Sequence, residues 1–368
     1  MTRRLALLLP AALAMLAGLD GALLLLGLPA PVSTSRLADS HGMLLVLGFV
    51  GTVIALERAV ALRRPAGFLA PACLGLGAIL VLSPAPGRIG GSLLLAGTLA
   101  LIGVYIPLWR RQREDAVLIQ VLGAVLAAGG ALLWLGGVGM PQVLPWLTAF
   151  VVLTIAGERL ELARVALIGS GAGRWMTGLS VVVLVAVVAS LLWPPLGFGL
   201  LGAALLAMVA WLWVHDVARR TVSGTGLPRF IAACLLAGYA WLAVAGGIWL
   251  LVASPGEGAA YDAVIHAVFL GFTISMIMAH APVILPAVLR VRLPYHPVMI
   301  APAVLLHVSL LVRLGLGDAR GSEPARQVGG VGNIVALLAF AVITVVLIVR
   351  SRSAAPSAVA RPALEAVS

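Results

Sequence analysis

The stretch from Tyr261 to Arg290, YDAVIHAVFLGFTISMIMAHAPVILPAVLR, is an apolar run long enough to cross a bilayer. A hydrocarbon core about 30 Å thick takes about 20 helical residues. Inside lipid every backbone N–H and C=O must be satisfied within the protein, so a run without strand-like alternation reads as a membrane helix. Two histidines, His266 and His280, interrupt it fourteen positions apart. At about 100° per residue that spacing returns to nearly the same face, with the rings roughly 21 Å apart along the axis. An imidazole in hydrocarbon is costly unless paired, and such residues are functional candidates. The question is then which other helices offer partners at those two depths.

Eleven further apolar runs surround this one. The twelve together are expected at 4–28, 39–62, 66–83, 89–109, 115–137, 142–168, 174–193, 196–218, 229–252, 261–289, 295–315 and 327–350. Short Gly- and Pro-rich links (SPAPGRIG, GSGAGR, SGTGLP) leave no room for a further folded domain between them. With 62% hydrophobic and 10% charged residues over 368 positions, the chain is expected to be an all-α polytopic membrane protein. Residues 1–352 would form one membrane domain and 353–368 a disordered cytoplasmic tail.

The net charge of +11 does not indicate a nucleic-acid partner. All 24 basic residues are arginine, and they concentrate in alternate loops. With the N-terminus inside, only Arg36, Arg88, Arg313, Arg320 and Arg326 fall on the outer side. The excess of positive charge on cytoplasmic loops therefore puts both termini in the cytoplasm, and the lipid bilayer is the one partner composition demands. Cys73 and Cys234 lie within apolar runs with no metal or redox spacing, so packing is their expected role.

A weak repeat recurs at four-helix intervals. Helices 2, 6 and 10 read LGFVGTVIALERAV, LTAFVVLTIAGERLEL and LGFTISMIMAHAPV. Aligned on Phe49, Phe150 and Phe272, they place Glu57, Glu158 and His280 at equivalent positions. Three pseudo-repeats of four helices are expected, with 2, 6 and 10 lining the interior.

The candidate site residues follow from depth. His41, opening helix 2, and His266 lie about one turn inside the outer boundary on helices that run the same way. Such a pair can supply both axial ligands of a haem held between helices, or each ring can simply hydrogen-bond a carbonyl. His280 and His307 also agree in depth and can form a second metal site, with Met276 or Met278 as thioether ligands suited to Cu(I). The plainer alternative is a hydrogen bond between helices. Glu57 and Glu158 each precede an arginine, and Glu161 lies one turn beyond Glu158; either a proton-conducting group or a carboxylate–guanidinium network fits them. Asp20 is the one acid of helix 1 and suits a proton donor or a helix–helix bond. His215 and His296 read as solvated boundary residues.

Twelve helices in three groups of four, with histidines at the outer side of helices 2 and 10, resemble the catalytic subunit of haem–copper oxidases and nitric-oxide reductases. The segments DSHGMLLVLGF and HAVFLGFTISMIMAHAP resemble the histidine-plus-GF helices of the NnrS family, bacterial membrane proteins that contain haem and copper and are associated with nitric-oxide resistance. LERAVAL, TIAGERLEL and GFTISMIMAHAPVILPAVL are also similar to segments of uncharacterised bacterial membrane proteins. The resemblance implies a protein of the bacterial cytoplasmic membrane that holds haem b at His41 and His266, with copper as a second cofactor. It would handle nitric oxide, oxygen or electrons, with a small gaseous ligand or an electron-donor protein as partner. The competing reading from the residues is a proton-coupled transporter or channel using intramembrane His and Glu.

Overall fold

The computed structural model describes residues 3–163, 171–252 and 256–353. Arg164, Arg361 and the expected tail beyond Ser353 lie outside the described residues; Ser353 itself ends a helix. No strand occurs among the described residues, and twelve helices are long and apolar enough to span a bilayer. Spans 1–4 are Arg4–Leu25, Ser35–Leu62, Pro65–Leu82 and Gly87–Gln112. Spans 5–8 are Asp115–Leu135, Met140–Ala163, Ala172–Leu192 and Pro194–His215. Spans 9–12 are Gly226–Val252, Gly258–Leu289, Pro297–Asp318 and Glu323–Ser353. The chain is thus an all-α, multi-pass membrane protein. Its exposed side chains are apolar over wide areas, Leu196, Leu251 and Val328 among them, as a lipid-facing belt requires.

Local sequence sets the ends of the spans. Spans 3, 8 and 11 open on Pro65, Pro194 and Pro297, where a missing N–H costs nothing. Spans 2, 4 and 10 close on Arg63, Arg113 and Arg290, each in the left-handed conformation. A cation there also complements the negative end of the helix. These closures all lie on one face of the bundle, called here the arginine-rich face.

The spans pack chiefly on their chain neighbours, with the contact of span 8 on span 9 as extensive as that of span 7 on span 8. Spans 1–4, 5–8 and 9–12 each pack internally, and the groups join where span 4 meets 5, span 8 meets 9 and span 12 meets 1. Span 10 also touches spans 2 and 6 at the centre. Span 6 is the most enclosed, with 78% of its apolar window buried, against 61% for spans 2 and 10. Span 5 is buried to the same 61%, so the interior is not lined by 2, 6 and 10 alone.

Spans 2 and 10 share a finer likeness. Each changes from α to π geometry partway: Ser35–Met43 is α and Leu44–Gly51 π in span 2, Gly258–His266 α and Ala267–Ile274 π in span 10. The alignment on Phe49 and Phe272 superimposes these segments end for end. A π segment takes more residues per turn, so arithmetic at 100° per residue does not carry from His266 to His280. The expectation of one shared face is corrected on that ground, and the two rings find different neighbours.

The repeated LGF motif has a packing cause. A Cβ on Gly48 would fall 2.8 Å from Ala78 Cβ and 3.0 Å from Ala14 Cβ, and one on Gly271 2.4 Å from Trp241 Cγ. In both repeats the glycine lets a neighbouring helix approach the π segment. Gly271→Ala is expected to lower stability by about 1–3 kcal/mol through overpacking. Gly199→Ala in span 8, which meets nothing within 4 Å, should be neutral or stabilising by up to about 1 kcal/mol. Thermal unfolding of the two variants in detergent makes the comparison.

Candidate functional site

Among the described residues, two clusters of charged side chains lie within the apolar bundle, one in each half. The group in the arginine-rich half grows from the repeated Glu-Arg dipeptide. Arg58 Nη2 donates to Glu57 Oε1 at 2.5 Å and to Glu158 Oε1 at 3.3 Å, while Nη1 donates to Gln120 Oε1 at 3.3 Å and lies 3.9 Å from Glu161 Oε2. Arg159, 6% exposed, donates through Nε and Nη2 to the two oxygens of Asp216 at 2.7 and 2.9 Å. Its Nη1 reaches His280 Nε2 at 3.3 Å. Tyr239 donates its hydroxyl to Asp216 Oδ2 at 2.6 Å, and the Ala218 amide donates to Oδ1 at 2.8 Å.

A rule of connection runs through these contacts. The arginine of one unit reaches the equivalent acid or histidine of the next: Arg58 of the first to Glu158 of the second, Arg159 of the second to His280 of the third. The third unit carries Ala281 at the arginine position and returns no cation to Glu57.

The group in the other half contains His41 and His266. His41 Nδ1 lies 2.6 Å from the Gly18 carbonyl oxygen. A Cβ on Gly21 would sit 2.6 Å from the Leu37 carbonyl oxygen and 3.4 Å from His41 Cβ, so this glycine permits the close crossing of spans 1 and 2. His266 Nδ1 lies 2.7 Å from the Asp262 carbonyl oxygen and 3.2 Å from its Oδ2. Arg313 binds Asp262 through both oxygens at 3.0 Å. The charges of His266, Asp262 and Arg313 all reach His41. In each ring Nδ1 faces an oxygen acceptor, which assigns the proton to Nδ1 and leaves Nε2 with its lone pair. Neither Nε2 has a hydrogen-bond partner among the described residues.

His280 and His307 are not brought onto a common ligand. His280 donates from Nδ1 to the Met276 carbonyl at 2.7 Å and accepts from Arg159 at Nε2. Trp241 Nε1 donates to His307 Nδ1 at 3.1 Å, and His307 Nε2 meets Ser275 Oγ at 3.3 Å. Ser275 passes its own proton to the Cys234 carbonyl at 2.7 Å. Every nitrogen of the two rings has a hydrogen-bond partner, and the two rings share none. Among the described residues no three His, Cys, Asp or Glu side chains converge as a ligand set.

Asp20 has no hydrogen bond to a histidine among the described residues, and its Oδ1 is buried without a partner there. Its Oδ2 accepts from the Val32 amide at 3.0 Å, and it lines an apolar groove of about 570 Å³ beside Arg36. His296 is exposed, and His215 stacks on Trp211. Asp216, the neighbour of His215, is buried at 6% exposure. Its signal was indirect: a tyrosine in span 9 and the arginine of span 6, each needing a buried partner. Asp262, Arg313, Gln120, Tyr105 and Trp241 were likewise unmarked by any spacing.

A family model described as Domain of unknown function (DUF8744) matches residues 4–349, and the chain belongs to that family. No curated protein and no solved structure matches.

Asp216 lies one residue past span 8. Burial works against its charge, yet the Arg159 hydrogen bonds and charge and the Tyr239 hydroxyl hold its carboxyl below the usual range. A carboxyl so lowered stabilises the fold above the ordinary aspartate value of about 3.9, and that contribution fades as pH falls to the folded value. Asp216→Ala, by stranding Arg159, is expected to cost about 3–5 kcal/mol. Asp216→Asn should show a smaller acid-induced loss of melting temperature than wild type. Melting curves across acidic pH measure both.

Proposed function

We propose that this DUF8744 member is a redox protein of the bacterial cytoplasmic membrane that binds haem b between His41 and His266 and handles nitric oxide, oxygen or electrons. The arginine-rich face would be cytoplasmic, with both termini on that side, and an electron-donor protein or a small gas would be the partner. The observation that carries the reading is the pair of unpartnered Nε2 atoms on spans 2 and 10, each in a ring whose Nδ1 is tied to a protein oxygen. That bond at the far nitrogen is the device by which proteins fix the tautomer and orientation of a metal-binding histidine. The residues therefore fit the group. His41 and His266 would bind the iron, and Asp262, held by Arg313, would orient His266. Bound haem would supply one-electron chemistry and a gas-binding iron.

Proton-coupled transport is the second reading, favoured by the carboxylates around Arg58. An absorption spectrum with a pyridine haemochrome assay separates the two. Protein purified from haem-replete cells is expected to carry b-type haem, and His41→Ala and His266→Ala to lose it. His280→Ala should retain it. Wild-type protein without haem, or haem retained in both variants of the pair, would overturn the proposal.

A further inference from the structure

Among the described residues, the carboxylates around Arg58 outnumber the cations. Glu57, Glu158 and Glu161 all lie within 3.9 Å of this one guanidinium. In a plain structural clamp between helices, a third arginine at position 281 would return a cation to Glu57 and leave one carboxylate in excess where two now stand. Alanine stands there instead. Removing charge from water without balancing it is costly, so the deficit must be met by something that is not a side chain of this cluster.

A second observation indicates what meets it. Tyr105 and Gln120 are fully buried, and Tyr105 Oη and Gln120 Nε2 have no hydrogen-bond partner, nor has Arg58 Nε. All three belong to the same place: Gln120 accepts from Arg58 through its other atom, and the charges that reach Tyr105 are those of Arg58 and the three glutamates. Buried polar atoms left unpaired in one spot mark the positions of ordered water. A metal cation fits poorly, because the guanidinium occupies the centre and no three ligands converge. The side chains of Glu158, Glu57 and Glu161 are 15%, 22% and 37% exposed, so Glu161 is the most open of the three.

The geometry points to a hydrated proton-holding site formed by Glu57, Glu158, Glu161 and Arg58, with Tyr105 and Gln120 ordering its water and Glu161 as its entry from the arginine-rich face. The proton comes from bulk water on that face and goes onto a carboxylate oxygen; it balances the charge that Ala281 leaves uncompensated. Among the described residues, Arg159, whose charge reaches Glu158, and His280, which feels Glu57, are further charged or titratable groups around it. Arg159 is matched by Asp216, which Tyr239 also binds, and His280 is held by Arg159 and the Met276 carbonyl. The site is independent of any haem at His41 and His266, since it shares no residue with them.

Infrared difference spectra between pH steps, taken on the full chain in lipid, test the proposal. Wild-type protein is expected to show the C=O stretch of a protonated carboxyl within the pH range where it is folded, and deuterium oxide should shift that band because the site is hydrated. Glu158→Gln and Glu57→Gln, which keep volume, should each diminish or remove it. Glu161→Gln should slow the proton uptake that follows a pH jump on the arginine-rich side. Tyr105→Phe removes only the hydroxyl and should displace the band without changing the fold, so the test stands even if a glutamine variant is unstable. A protein with no such band at any pH where it is folded, or a band indifferent to Glu57→Gln, Glu158→Gln and Tyr105→Phe alike, would reduce the cluster to a salt bridge.

Discussion

Two arginines within the bundle, Arg58 half-buried and Arg159 buried, link the three four-span units through polar contacts. Apolar helices in lipid gain nothing from meeting one another through hydrophobicity alone, so their mutual order depends on close packing and on polar contacts that have no other outlet. Arg58 and Arg159 supply the second in its strongest form. Each leaves its own unit at the same position of the repeat and ends on the acid or histidine of the next. A guanidinium in this setting cannot be left unpaired, and its fork geometry fixes direction as well as distance. The arginines therefore set the angular relation of units that only sparse packing joins at the centre.

Close packing supplies the rest, and glycine governs where it occurs. Gly48 and Gly271 open the π segments of spans 2 and 10 to their neighbours, and Gly21 brings the Gly18 carbonyl onto His41. Trp241, lodged against Gly271, then has its indole N–H in place for His307. Backbone contact and polar contact are thus consequences of the same small residues, and a change at one of these glycines would be felt at a histidine several residues away.

The architecture was legible in the sequence because the bilayer imposes it. Twelve apolar runs and short links admit few folds, and the equivalence of Phe49, Phe150 and Phe272 already indicated four-helix units. The partners of the polar residues were not legible. His280 and His307 agree in depth, yet depth does not say which way a ring points, and Arg159 and Trp241 take their nitrogens. The π segment added a second obstacle, since it breaks the regular rotation on which face arguments rest. Asp216 sits at a span end where solvation is the ordinary expectation; only the fold shows that Arg159 reaches it.

The threefold pattern is broken in two places, and both breaks coincide with chemistry. In the arginine-poor half the units contribute unequally: the first gives His41 and the third His266, whereas the second has Gln142 and Leu144 at the equivalent positions. Span 6 also has Pro145 where the π segments of spans 2 and 10 begin, and it stays α-helical throughout. In the arginine-rich half the third unit withholds a cation, and the carboxylates of the first two are left in excess. A perfectly repeated structure would satisfy every polar group within itself and leave nothing for an exogenous ligand or proton to complete. Departures from the repeat at His41, His266 and Ala281 leave lone pairs and charge unmet in an apolar setting where unmet polarity is most costly.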